Sequence, residues 1–194
     1  MRALQADELM TLERYARERE AFRARVLEHK ATRKLAVGPD VTWLFEDRLT
    51  VQYQVQEMLR VERIFEPVDI KQELSAYNPL IPDGANLKAT MLIEIPDAQL
   101  RRLRLSQMNG IEDRCYLQVA GCPRVFAIAD EDMERANQFK TSAVHFLRFE
   151  FTPGMISALR AGAALAAGVD HGQYQHRVES LPGTTRASLI NDLE

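Results

Sequence analysis

Glu62 is the carboxylate whose position in this chain most invites chemistry. Side chains advance by about 100° per residue in a helix. On that spacing Leu44, Val51, Val55, Met58, Leu59 and Phe65 gather on one face of a helix over 40–66, and Glu62 falls among them. A carboxylate buried there is costly unless it is paired, protonated or metal-bound. Gln54, Met58, Glu62 and Glu66 share one i+4 ridge, so two carboxylates and an amide line one side of that helix. On a strand over 143–151, His145, Leu147, Phe149 and Phe151 point one way and Val144, Phe146, Arg148 and Glu150 the other. The first set is the more apolar, which turns His145 to the core. Were Glu62 and His145 to meet, they would form a carboxylate–imidazole pair, the minimum unit for proton transfer or half of a metal site. Glu62 and His145 are thus the catalytic candidates, and Glu62, Glu66 and His145 the metal candidates. The structural alternative pairs Glu62 with an arginine such as Arg48 or Arg148 and ties His145 to a backbone carbonyl.

Other residue groups carry weaker signals. Asp170, His171 and His176 offer ligand types but sit near the chain end. Asp130, Asp132 and Glu134 resemble a hard-cation cluster, yet acids favour the first turn of a helix for dipole reasons alone. Cys115 and Cys122 show no zinc spacing, and Cys122 lacks a basic neighbour or a resolving cysteine. A phosphate-binding glycine loop, a dinucleotide motif, a nucleophile elbow, HExxH and Glu-x-x-His are all missing, which removes nucleotide hydrolysis and autonomous di-iron chemistry.

The elements that must position these groups read as α+β. Residues 7–31 form a helix capped by Asp7, and Gly38-Pro39-Asp40 turns into the 40–66 helix, which Pro67 closes. From 77 to 86 the chain is a loop. Strands at 87–95, 114–119, 125–129 and 143–151, with helices at 97–108 and 130–139, give the order β-α-β-β-α-β. That order predicts a split, ferredoxin-like antiparallel sheet with one face covered by its own helices. Helices 40–66 and 153–167 are then needed over the second face, placing Glu62 against the sheet. Gly168 ends the last helix, residues 1–176 make one domain, and 177–194 read as a polar tail.

Composition sets the frame. The 194 residues are 46% hydrophobic and 27% charged, with a net charge of -3. Eight basic residues against three glutamates make 14–34 a +5 segment, leaving -8 for the rest. The acidic whole argues against a nucleic-acid binder, and the basic segment suits an acidic protein surface or a solvated face. Two cysteines, no secretory leader and no membrane-length apolar run predict a cytoplasmic protein.

Three stretches are familiar together: LFEDRLTVQYQVQEMLRVERIF (44–65), YNPLIPDGANLKATMLIE (77–94), and AVHFLRFEF (143–151) followed by AGVDH. From about Asp7 to Tyr174 the chain resembles a bacterial family, domain of unknown function 3501. The resemblance transfers no catalytic residue and no cofactor. Because members are often encoded beside a rubrerythrin-like protein and an iron–sulfur protein related to heterodisulfide reductase subunits, it implies such partners and a place in redox metabolism or peroxide defence. The expected function is therefore an accessory, partner-binding protein with no evident redox centre of its own, docking through the basic 14–34 segment. The alternative is a metal- or small-ligand-binding protein or enzyme with a Glu62/His145 site between the long helix and the sheet.

Overall fold

The computed structural model describes residues 2–131 and 140–194. The helix expected at 130–139 therefore falls, but for its first residues, outside the described residues, as do Asp132 and Glu134.

After a 3-10 turn at Ala6–Glu8, helix α1 runs from Leu12 to Ala31. Its cap is Thr11, whose hydroxyl accepts from the Arg14 N–H, and not Asp7. The segment 40–66 is not one helix. Its first part is a strand, β2 (Val41–Glu46), and only Arg48–Val61 forms a helix, α2. Val-Thr-Trp-Leu-Phe is β-branched and aromatic, and it is buried on both faces, which suits a central strand. Asp47 caps α2 in a reciprocal box with Thr50. Pro67 opens a further helix, α3 (Pro67–Tyr77), by occupying its first position.

Strands β1 (Lys34–Ala36), β3 (Asn86–Ile93), β6 (Ile128–Ala129) and β7 (Val144–Glu150) join β2 in an antiparallel sheet of order β1-β2-β3-β7-β6. A second antiparallel sheet has the order β5-β4-β8-β9, from β4 (Cys115–Val119), β5 (Arg124–Phe126), β8 (Leu165–His171) and β9 (Tyr174–Val178). Helix α4 (Ala98–Gln107) links β3 towards β4, α5 (Pro153–Arg160) links β7 to β8, and α6 (Gly183–Ile190) follows β9.

The fold is thus mixed α+β, but its strands do not make one split sheet. The run 124–129 changes sheets at Ala127: β5 pairs with β4, whereas β6 pairs with β7. The stretch expected to finish a helix over 153–167 instead leaves the helix at Ala161, turns at Gly162 with φ of +105°, and becomes β8. Pairing with β8 draws β4 into the second sheet. Gly168 is no helix stop: a Cβ there would lie 2.4 Å from the Tyr116 hydroxyl, so the glycine lets the ring lie across the strand.

The sheets share one core. Trp43, Phe45, Leu87, Met91, Leu147 and Phe149 from the first meet Cys115, Leu117, Leu165, Ala167 and Val169 from the second. Tyr174 ties them at one end, donating its hydroxyl to the Val37 carbonyl (2.8 Å) and accepting from the N–H groups of Asp40 and Val41. The first sheet's other face carries α2 and α3, with Val51, Val55, Leu59, Leu74 and Ile81 in a smaller core. Residues 179–194 are not a loose tail. Leu181, Leu189 and Leu193 are buried in the main core, and the Glu194 N–H bonds the Gly84 carbonyl.

Candidate ligand-binding cleft and the His145 cluster

Glu62 does not reach the sheet. It is the exposed C-cap of α2, since the helix starts at Arg48 and its buried stripe is Val51, Val55 and Leu59. Glu66 is an exposed N-cap of α3. A buried carboxylate does lie where the segment meets the sheet, but it is Glu46. It accepts from Thr50 Oγ1 (2.5 Å), Gln54 Nε2 (2.9 Å) and Thr90 Oγ1 (2.7 Å). Gln54, expected to accompany Glu62, serves Glu46. Reading Val41–Glu46 as a strand would have pointed inward-facing residues to one side and Glu46 to the other, under α2.

His145 is fully buried on the core face of β7, as the alternation of that strand predicts. Its companions are Asp130 and Glu112, and Glu62 is not among them. Nδ1 lies 2.6 Å from Asp130 Oδ2, while Nε2 lies 2.8 Å from Thr141 Oγ1 and 3.1 Å from the Ser142 carbonyl. The Thr141 hydroxyl is also 3.2 Å from Glu112 Oε2. Asp130 has a left-handed backbone, φ +49°. It is held there by its Oδ1, which accepts from the Phe146 N–H, and by its own N–H on the Phe146 carbonyl. Glu112 comes from a 3-10 turn, Glu112–Arg114. Neither placement has a periodicity that sequence reading could use.

Glu112, Asp130 and His145 bring one ligand atom each within 4.8 Å of one another, the described group with donors for a metal ion. Their arrangement is that of a hydrogen-bonded chain: the two carboxylates stand at opposite edges of the imidazole, and Thr141 fills the gap on the Nε2 side. Asp130 faces Nδ1, and the Thr141 hydroxyl and the Ser142 carbonyl face Nε2.

The other histidines do not converge. His171 Nε2 bonds the Asn109 carbonyl, His176 packs on the Tyr174 ring, and Asp170 pairs with Arg124. Both cysteines are free; Cys115 lies in the core 3.5 Å from Met91 Sδ, and burial pushes its thiol up, away from nucleophilic use.

A cavity of about 400 Å³ lies on the opposite side of β7, between α2–α3 and the outer face of the first sheet. Met58 of α2, Ala76 and Tyr77 of α3, and Pro79 and Leu80 just after it form one wall. Ile128, Phe146 and Leu147 form the sheet side. Charged groups enter from Glu73, Lys88, Glu131 and Arg148. Arg148 donates to both oxygens of Glu131, at 2.7 Å each, and to Glu150. Those bonds hold the Glu131 carboxyl below the usual range and raise the guanidinium. Lys88 Nζ donates to the carbonyls of Pro79 (2.6 Å) and Ile81 (2.9 Å), and burial pushes its pKa down. Asp130 and Glu131, adjacent in sequence, thus serve the His145 cluster on one side and the cleft on the other.

No helix among the described residues is long and apolar enough to cross a membrane. No curated protein matches the chain. Among solved structures, it is similar to a novel protein of unknown function from Burkholderia pseudomallei K96243. Identity is 47%, both chains are covered completely, and the TM-score is 0.95. The family model described as "Protein of unknown function (DUF3501)" matches residues 3–193, and the chain therefore belongs to that family.

Proposed function

We propose that the protein is an accessory protein that binds a small molecule in the cleft between α2–α3 and the first sheet. The cleft itself carries the reading. Its volume of about 400 Å³ lies within the roughly 300–1,000 Å³ typical of small-molecule sites. Its walls are mostly apolar, and Lys88, Glu131 and Arg148 are held in place by bonds to the protein. A fluorescence titration with Nile red, a neutral apolar dye, tests it. Wild-type protein should bind one equivalent saturably, and Ala76→Trp, which places an indole at the exposed rim, should abolish binding while keeping the circular dichroism of the fold. Non-saturable binding, or binding unchanged in Ala76→Trp, overturns the reading.

A second reading, docking on an acidic protein surface, is favoured by α1. Arg17, Arg23 and Arg25 stand exposed on it and, among the described residues, make no ion pair. The family resemblance supports a rubrerythrin-like or iron–sulfur redox protein as that partner. Ligand binding and docking are compatible, since the cleft is built by α2, α3 and the sheet and the basic face belongs to α1.

A further inference from the structure

The class of ligand follows from one cleft residue whose ammonium bonds no carboxylate; the inference rests on the cleft being a ligand site. Arg148 is engaged, each of its three guanidinium nitrogens bonding a carboxylate. Lys88 is not. Its two hydrogen bonds end on neutral carbonyl oxygens, and among the described residues it forms no ion pair. Glu46, directly across on β2, spends its carboxylate on Thr50, Gln54 and Thr90. An ammonium carries three N–H donors, so one remains for a ligand. Burial pushes the Lys88 pKa down against the pull of the Asp83, Glu131 and Glu150 carboxylates, none of which bonds its ammonium.

We propose that the cleft binds an amphipathic monocarboxylate, an acyl or aryl acid, whose carboxylate takes the third N–H of Lys88 while its body lies against Met58, Tyr77, Leu80 and Phe146. A single remaining donor suits a monoanion, since a phosphate monoester needs more donors than Lys88 has left and Arg148 is already committed. Glu73, half-buried on α3 and without an ion pair among the described residues, makes an ammonium ligand the competing class.

Calorimetric titration of the full chain with octanoate, octylamine and octanol separates the classes. Octanoate should bind at least tenfold more tightly than either of the others. Lys88→Gln should bring octanoate down to the level of octanol without changing octanol itself, and Lys88→Arg should keep the preference for the acid. If Lys88→Gln does not fold, the ranking on wild type and Lys88→Arg decides alone. Octylamine binding best, or equal affinity for all three, overturns the carboxylate class and leaves the cleft as a ligand site. If none of the three binds and Nile red also fails, the cleft reading falls with it.

Discussion

His145 is fixed from both edges of its ring, and its value to the fold follows from what its loss would strand. The side chain is fully buried, and the Asp130 and Glu112 side chains beside it are each only 10% exposed. Removing the imidazole takes a partner from Asp130 on one side and from Thr141 and Glu112 on the other, and leaves a cavity between them. Truncating one partner of such a buried group costs about 3–5 kcal/mol. His145→Ala should therefore lower unfolding free energy in urea by that amount, and Asp130→Asn by less, because the amide still accepts from the Phe146 N–H. Chelation with EDTA should leave the melting temperature unchanged if the chain of hydrogen bonds is what holds the cluster; a fall on chelation would show an ion doing so instead. At this scale the sequence showed His145 facing the core, because strand alternation is a property of neighbouring residues. It misassigned the companion, because Asp130 and Glu112 arrive through a left-handed residue and a 3-10 turn. The anomaly seen at Glu62 was a real one displaced by sixteen positions: the buried carboxylate of the 40–66 segment is Glu46.

At the scale of elements, α1 lies over α2 and buries only Tyr15, Phe22 and Val26 in its length. Arg19 turns inward to clasp Glu57 with two hydrogen bonds, at 2.7 and 2.8 Å, while Arg17, Arg23 and Arg25 remain outward. Exposed charges of one sign raise association rates and are screened by salt over about 10 Å at 0.1 M. If α1 is the docking face, Arg23→Glu with Arg25→Glu should weaken binding to the proposed rubrerythrin-like or iron–sulfur partner at least tenfold in sedimentation measurements. Wild-type binding should also decline as salt rises. Affinity indifferent to both rules the face out. The basic character of this helix was legible from composition, and so were α4 and the strands β3, β4 and β7. Others were not, among them β1, α3, β9 and α6, and two of the missed strands, β2 and β8, decided the topology. Val41–Glu46 carries apolar residues that fit either period, and its burial on both faces comes from the core shared with the second sheet on one side and from α2 on the other. Leu165–His171 is rich in alanine and glycine, which favour close helix contacts as readily as a strand beneath the Tyr116 ring. Missing β8 removed the strand that ties β4 into the second sheet, and the split-sheet topology followed from that omission.

Over the whole molecule, the last residues close the structure against its beginning. Arg33, only 1% exposed, reaches from the end of α1 to the carbonyls of Phe45 and Glu46 and to the Asp192 carboxylate, with Asp47 3.5 Å away and His29 on Asp47. Two carboxylates share one buried guanidinium. Burial raises Asp192 to about 6 against the opposing pull of Arg33, and Asp47 adds to the rise. The sign follows from the folded value lying above the ordinary one of 3.8. The folded state binds the proton more tightly than the unfolded chain, so ionising Asp192 costs stability. That cost is fully present above about pH 6, is relieved as pH falls towards 4, and is absent below the unfolded value. Asp192→Asn carries no such proton. Its stability relative to wild type should therefore be higher at pH 7.5 than at pH 4.5, measured by urea unfolding at both. A difference between the two proteins that stays constant across this window would mean that Asp192 is ionised throughout, with Arg33 outweighing burial. Either result concerns a contact between residues 159 positions apart, which no local pattern in a polar-looking C-terminus could reveal. Leu181, Leu189 and Leu193 carry the same closure in apolar form, each buried in the core that both sheets share. The pH at which Asp192 takes its proton thus reports on how firmly α6 seals that core.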